Sequence, residues 1–177
     1  LVLGLLDIDK PVIAKVNGHA VGLGATLALL CDVIFASDKT RLGDPHVSIG
    51  LVAGDGGAVI WPQLIGFARA KEYLLTGELI PATKAAEIGL VNHVLAASDL
   101  DEAVNRFCQR LLGGAQQAIR WTKKTINLEL RRIAEPALDL GLRYEALSVR
   151  TDDHREAVEA FRDKRPPRFG RSPPGDE

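Results

Sequence analysis

The sequence of 177 residues has no charge excess and no long apolar segment. Its formal net charge at pH 7 is -1, so no global field draws the protein to nucleic acid or to an anionic membrane. The longest nearly uninterrupted apolar stretch, residues 25–31, is far shorter than the roughly 20 residues of a membrane span. We therefore expect no membrane partner, no nucleic acid, and a small neutral or anionic ligand that is recognised locally.

Cysteine is scarce and methionine is absent. Cys31 and Cys108 have neither CxxC spacing nor a histidine-rich neighbourhood, which excludes a disulfide framework and a zinc site of the usual patterns. We expect no metal and a reducing, cytoplasmic location. The chain begins at Leu1, in what reads as the end of a helix, and shows no signal-peptide pattern. We expect the N-terminal part of the protein to be missing from it.

The residue pattern predicts a mixed α/β first part and a helical second part. Apolar, β-branched runs predict strands at residues 11–16, 32–36 and 90–96, and the glycine-rich residues 48–57 predict a loop. Pro81 is expected in the first turn of a helix. Further predictions are a capping box of Asp99 and Glu102 and helices at residues 115–132, 135–150 and 153–164.

These elements divide the chain into three predicted parts. Residues 1–112 form an α/β core that begins with a βαβ unit, and residues 113–164 form a helical module. Residues 165–177 are a charged, proline-rich tail, which is either disordered or draped over a neighbour.

A glycine-rich turn, Gly22-Leu23-Gly24, leads from the first strand into a helix. Free N–H groups at the start of a helix form a positive pole that can hold an oxyanion, and glycine permits close approach of a ligand. Tight packing of the turn is the alternative interpretation of the same glycines.

The segment KPVIAKVNGHAVGLGATLALLCD, residues 10–32, closely resembles the signature of the crotonase superfamily, the enoyl-CoA hydratase/isomerase family. Further matches cover nearly the whole chain: residues 42–45, 56–57, 75–77, 85–91 and 152–165. The resemblance implies a crotonase-like spiral of ββα units with a helical C-terminal trimerisation module. It also implies a homotrimer or dimer of trimers that acts on an acyl-CoA thioester, with coenzyme A as part of the substrate and no covalently bound cofactor.

The resemblance assigns roles to the glycine-rich turn. The backbone N–H of Leu23 is one donor of the oxyanion hole, and the family's other donor comes from an earlier segment that this sequence lacks. Residues implied to line the coenzyme A thioester are Val21, Gly22, Gly24 and Pro45.

Two residues near the C-terminus match family positions that contact coenzyme A from the neighbouring subunit. They are Phe161 and Lys164, spaced three apart on the last helix. A core phenylalanine and a solvated lysine are the alternative.

Both glutamates of the family's hydratases are replaced, by Thr26 and by His46. A threonine hydroxyl can orient water but is too weak an acid and base to replace a carboxylate, whereas a histidine with a pKa of about 6.5 can shuttle a proton near neutral pH. His46 can also be read as a surface histidine. In isomerase-like and dehalogenase-like members, an aspartate near the position of Asp55 carries out acid–base or nucleophilic chemistry. An Asp-Gly turn residue is the alternative.

We therefore predict an acyl-CoA-processing enzyme, similar to enoyl-CoA hydratase/isomerase, with His46, Asp55 and Thr26 in the site. Isomerase, hydrolase or decarboxylase chemistry is an alternative, as is a non-catalytic acyl-CoA-binding member. A basic stripe on one predicted helix leaves RNA binding as a third hypothesis, although such a stripe is usually a solvated face. Its members are Arg120, Lys123, Lys124, Arg131 and Arg132.

Overall fold

The computed structural model describes residues 1–170. Six short strands form two three-stranded sheets in this part of the chain. The first sheet, all parallel, has the order β1 (Ile13–Val16), β3 (Val33–Ser37), β6 (His93–Leu95). The second has the order β2 (Ala20–Val21), β4 (Arg41–Gly43), β5 (Ile80–Pro81), with β5 antiparallel to β4.

Eight α-helices and one 3₁₀ helix connect and cover the two sheets in residues 1–170. The first four are α1 (Val2–Leu6), α2 (Leu23–Leu29), α3 (Gly57–Ile65) and α4 (Phe67–Thr76). They are followed by α5 (Ala82–Glu87), α6 (Leu100–Leu112), α7 (Gln116–Ser148) and α8 (Asp152–Arg162). The 3₁₀ helix spans His46–Ile49.

The first four strands alternate between the two sheets, as in a spiral of ββα units, whereas β4 and β5 are neighbours in the second sheet. β1 pairs with β3 over four residues, from Ile13 opposite Val33 to Val16 opposite Ala36, and α2 lies between them in the chain. This confirms the predicted βαβ unit and the α/β crotonase-like fold. Side chains from both sheets and most helices share a main core, whose largest fully buried members are Trp61, Leu29, Leu42, Ile80 and Leu90. Phe35 of β3 forms a second, smaller cluster with Leu100 and Ala103 of α6.

The two helices predicted at residues 115–132 and 135–150 are one helix, α7, and the predicted break was wrong. Pro136 lies inside it and cannot donate to the carbonyl one turn earlier, which costs roughly 3 kcal/mol. Ala134 and Leu138, on either side of this proline, are buried in the main core. Burial of a leucine side chain is worth about 1.5–3 kcal/mol, so packing of this turn offsets the lost hydrogen bond.

Three other local predictions need correction. Asp99 precedes α6 but its carboxylate makes no cap bond to the helix; it accepts a hydrogen bond from the Ser98 hydroxyl at 2.9 Å instead. Pro81 is the residue before α5 rather than part of its first turn. The predicted loop at residues 48–57 overlaps the 3₁₀ helix, because Gly50 ends that helix in the left-handed conformation only two residues into the loop.

The basic stripe of α7 is largely neutralised by acidic partners. Lys123 is buried, and its ammonium donates to the Asp32 carboxylate at 2.7 Å and to the Lys10 carbonyl at 2.8 Å. Arg131 bridges to Asp7 and Glu135; Arg120 lies 3.6 Å from Asp9 and Arg132 lies 2.9 Å from Glu129. A surface whose cations are paired in this way favours a solvated or structural face over nucleic-acid binding.

The first part of the predicted tail folds back on α8. Arg165 forms an ion pair with Glu156, and the backbone N–H of Arg168 donates to the same carboxylate at 2.8 Å. The hydrogen bond from Arg165 lowers the pKa of Glu156 to about 2. Residues 171–177 of the predicted tail lie outside the described residues. Within residues 1–170, none of the helices has the length and apolarity to cross a membrane.

Candidate active site

The turn before α2 presents backbone donors at the surface. Gly22 adopts φ +56°, in the region that favours glycine, and its N–H donates to the Gly43 carbonyl at 2.9 Å. Leu23 is the first residue of α2, and the first N–H groups of a helix have no intrahelical acceptor. The Leu23 side chain is exposed, as are Val21 and Gly24. The role of the Leu23 N–H as oxyanion donor stays a prediction.

His46 lies directly beside this turn. A Cβ atom placed on Gly22 would lie 3.5 Å from Cε1 of the imidazole. Pro45 precedes the 3₁₀ helix and is half-buried, as is His46. The alternative reading of His46 as a solvated surface histidine is wrong, because its side chain is only 14% exposed.

Asp44 fixes the orientation of the imidazole. Its carboxylate is buried and accepts a hydrogen bond from Nδ1 of His46. The second oxygen, Oδ2, has no hydrogen-bond partner among the described residues and lies against Gly57, where any side chain would collide with it. With Nδ1 engaged by Asp44, Nε2 of His46 is the nitrogen left for chemistry.

Asp55 lies on the other side of the imidazole. Its Oδ2 is 3.7 Å from Nε2 of His46, and its Oδ1 accepts from the hydroxyl of the fully buried Thr26 at 3.4 Å. The structure thus brings together His46, Asp55 and Thr26, the three residues that the sequence predicts in the site.

Burial and hydrogen bonding shift the proton affinities of this pair. The hydrogen bond with Asp44 raises the pKa of His46 above the ordinary 6.5, although burial opposes it. Burial raises the pKa of Asp55 above the ordinary 3.8, and the nearby imidazole opposes that shift. The hydrogen bond to Asp44 thus favours the protonated ring of His46, and burial favours the neutral carboxyl of Asp55.

Glu145, on α7, lies against the loop that carries Asp55: a Cβ atom on Gly54 would lie 3.0 Å from the Cβ of Glu145. Its Oε2 is buried and has no hydrogen-bond partner among residues 1–170. Burial raises the pKa of its carboxyl, and the charge of Asp55 adds to that effect. Sequence reasoning missed Glu145, which has no local motif, and Asp44, which had a signal because it lies in a family match at residues 42–45.

The cluster has the composition of a small metal site. Asp44, His46 and Asp55 each offer one ligand atom, and these atoms lie within 4.8 Å of one another. A metal ion held by Asp44 and His46 would compete with the hydrogen bond that already joins the Asp44 carboxylate to Nδ1 of His46. The expectation of no metal stays a prediction.

The two residues predicted to contact coenzyme A from a neighbouring subunit lie at the end of α8. The side chain of Phe161 is 84% exposed, which rules out a core position within this chain. Lys164 is exposed and adopts φ +53° just after the helix. Their role at coenzyme A stays a prediction.

The two-sheet spiral and the helix-start donor beside a polar cluster define a crotonase-fold protein. The sequence pattern of the enoyl-CoA hydratase/isomerase family matches residues 1–172. The chain therefore belongs to the enoyl-CoA hydratase/isomerase family.

Curated relatives and a solved structure agree with this assignment. The short-chain-enoyl-CoA hydratase of Clostridioides difficile is 38% identical over 86% of this chain and 98% of that protein. The crotonyl-CoA hydratase of Syntrophomonas wolfei is 36% identical over 92% of this chain, which spans 62% of that protein. An enoyl-CoA hydratase structure from Mycobacterium avium subsp. paratuberculosis superposes with a TM-score of 0.91, with 32% identity over 97% of this chain and 70% of that one.

Proposed function

We propose that this protein acts on an acyl-CoA thioester through an enolate, with His46 and Asp55 as its proton-transfer groups. The observation that supports this most is the 3.7 Å approach of Nε2 of His46 to Oδ2 of Asp55, beside the turn that carries the Leu23 N–H. Relatives named as enoyl-CoA and crotonyl-CoA hydratases support the substrate class.

The oxyanion donor lowers the cost of the enolate. In this proposal the thioester carbonyl accepts a hydrogen bond from the Leu23 N–H. The family pattern supplies a second N–H donor from a segment that is outside this sequence. Preorganised donors of this kind stabilise developing negative charge by several kcal/mol, about 3–4 for one donor. The exposed Leu23 side chain narrows the space beside the thioester without removing the backbone donor.

The proton-transfer roles follow from the charges of the pair. In this mechanism Asp55 acts as the carboxylate and takes the α-proton of the acyl group on Oδ2. His46 acts as the imidazolium and donates its Nε2 proton to the enolate or to a leaving group. Asp44 keeps Nδ1 of His46 protonated and Nε2 directed at the substrate. Isomerisation uses both groups in this way. In decarboxylation the enolate would form by loss of CO2 and only the proton donor would be needed, and in thioester hydrolysis Asp55 would take its proton from water instead.

We expect hydration of crotonyl-CoA to be slow, because Thr26 and His46 replace the two glutamates that activate water in hydratases. The check is to compare the turnover of crotonyl-CoA by this protein with that by a related hydratase. Enoyl isomerisation, thioester hydrolysis and decarboxylation are assayed in the same experiment. The double variant T26E/H46E is expected to raise hydration. Hydratase turnover as fast as that of the related enzyme would contradict the proposal.

A non-catalytic acyl-CoA-binding protein is the second candidate, favoured by the loss of both glutamates. The same panel separates the two functions, because this candidate requires acyl-CoA binding without turnover of any substrate class.

We also propose a homotrimer or a dimer of trimers. Large apolar side chains on α7 and α8 are exposed in the single chain: Trp121, Ile126, Leu128, Leu142, Leu147 and Phe161. Apolar surface on this scale is usually covered by a partner. Sedimentation of the purified chain is expected to give three or six copies, and a strictly monomeric species would contradict it.

A cytoplasmic location is the remaining part of the proposal, supported by two free cysteines.

A further inference from the structure

We propose that His154 of α8 is a positioning residue for His46: its imidazole anchors the far end of the 3₁₀ helix that begins at His46. Its effect on turnover rests on the proposed function, whereas its effect on the backbone around His46 does not.

The 3₁₀ helix is not held in place by burial. None of the residues His46–Ile49 is buried, and the side chain of Ile49 is exposed. Because burial of apolar surface is the main force that fixes an element in a fold, this helix depends on particular contacts with its neighbours. On one side it packs against the end of α4, where a Cβ atom on Gly77 would lie 3.3 Å from the Cα of Pro45. On the other side it meets the start of α8.

The half-buried imidazole of His154 reaches the backbone carbonyl of Ile49. Nδ1 of the ring lies 2.8 Å from that oxygen. Since a carbonyl oxygen can only accept, Nδ1 carries a proton and donates it. Carbonyl groups at the end of a helix lack an intrahelical partner, so His154 satisfies a group that the 3₁₀ helix leaves open.

Gly50 permits the close approach of the two segments. It adopts φ +68°, and a Cβ atom placed on it would lie 2.7 Å from the backbone nitrogen of His154. Two residues further along the chain, the Val52 N–H donates to the Ser148 hydroxyl at 3.3 Å. The corner between α7 and α8 therefore holds this segment at three points: the carbonyl of Ile49, the Cα of Gly50 and the N–H of Val52.

Hydroxyl groups fix the corner itself. Thr151 is the N-cap of α8, and its hydroxyl accepts from the His154 N–H at 3.3 Å and donates to the Ser148 carbonyl at 2.7 Å. The Ser148 hydroxyl donates to the Glu145 carbonyl at 2.7 Å. A capped helix start keeps the backbone of His154 in one place, so its ring can act as a fixed donor.

The anchored end of the 3₁₀ helix is tied to the backbone of His46. The Leu51 N–H donates to the His46 carbonyl at 2.9 Å, and the Gly50 N–H donates to the Val47 carbonyl at 3.1 Å. A shift of Ile49 is therefore passed to His46 and to its ring. Misplacement of a reacting group by about 1 Å can lower turnover by roughly 100-fold.

The test is the substitution His154→Leu, which removes the donor and keeps a side chain of moderate size. Hydrogen exchange of the Leu51 amide is followed by NMR in the full chain without substrate, because this amide bonds the His46 carbonyl. We expect about fivefold faster exchange, the ratio for the loss of one hydrogen bond. His154→Asn keeps an N–H donor at the position of Nδ1 and is expected to keep the wild-type rate.

Two further variants separate this contact from other changes on α8. Arg155→Leu alters the exposed neighbour of His154, which pairs with Asp152, and is expected to keep the wild-type exchange rate and turnover. Gly50→Ala leaves the imidazole intact but forces the two backbones apart. It is expected to speed exchange of the Leu51 amide at least as much as His154→Leu does.

Turnover gives a second readout, measured with the acyl-CoA of the panel that is turned over fastest. In His154→Leu, kcat is expected to fall about tenfold, while KM stays nearly unchanged because the Leu23 N–H lies on another element. His154→Asn is expected to recover most of kcat.

Exchange of the Leu51 amide at the wild-type rate in His154→Leu would overturn the anchoring role. So would His154→Asn if it behaved like His154→Leu. Absence of turnover in the wild-type protein, together with the expected faster exchange in His154→Leu, would overturn the proposed function alone.

Discussion

His46→Gln and Asp55→Asn are each expected to lower turnover by roughly 100-fold or more, the usual scale for loss of a positioned acid or base. Both substitutions preserve side-chain size and hydrogen-bonding capacity but remove proton transfer. Binding of an acyl-CoA is expected to stay nearly unchanged, because the thioester donor is the backbone N–H of Leu23. The measurements are kcat on the best substrate class and the Kd for a non-reactive acyl-CoA.

Two matched variants control for the loss of a histidine or an aspartate elsewhere. His93 lies on the first sheet, with its ring 4.5 Å from that of Phe35, and Asp38 follows β3. His93→Gln and Asp38→Asn are expected to keep wild-type turnover. Wild-type turnover in both His46→Gln and Asp55→Asn would eliminate this pair as the proton-transfer groups.

The pH profile of the wild-type protein tests the direction of proton transfer. Asp55 has to be ionised to accept a proton, so turnover is expected to fall as the pH drops through its pKa, which lies above the ordinary 3.8. His46 has to be protonated to donate, so turnover is expected to fall as the pH rises through its pKa, which lies above the ordinary 6.5. The two limbs belong to the coupled cluster rather than to single residues.

Local pattern predicted the α/β class, whereas the crotonase-like spiral and most of the site followed from the family resemblance at residues 10–32 and 42–45. The apolar run at residues 11–16 and the turn at Gly22 predict the βαβ unit, because strand and helix periodicity are properties of a few consecutive residues. His46 and Asp55 were also predicted in one site, and the glycine-rich loop permits the chain to fold back over a short distance. Both residues lie in that same stretch between β4 and α3.

Long-range packing was beyond the reach of sequence pattern. Pro136 predicts a break in a helix, and only the burial of Ala134 and Leu138 in a core built from distant segments explains why α7 continues. Glu145 joins the site because two glycines, Gly54 and Gly141, let the backbones touch. Neither glycine carries a local signal for that contact.

The contact between these two glycines is expected to make Gly54→Ala strongly destabilising. The backbone of Gly54 lies outside the left-handed region, so available space decides the outcome. An added Cβ would collide with the carbonyl oxygen of Gly141 and lie 3.0 Å from the Cβ of Glu145. Both neighbouring atoms belong to α7, and this helix is anchored in the core through Leu138. Relief of the collision would therefore require a shift of the helix backbone.

Overpacking of this kind costs about 3 kcal/mol, which in a chain of this size lowers Tm by roughly 6–12 °C. The control is Gly4→Ala, within α1, where an added Cβ meets no heavy atom within 4 Å. That variant is expected to keep or slightly raise Tm, since alanine favours a helix by about 1 kcal/mol over glycine. Thermal unfolding of both variants measures the difference. Equal Tm values for Gly54→Ala and the wild type would mean that α7 does not press on the loop, and the placement of Glu145 beside Asp55 would fail with it.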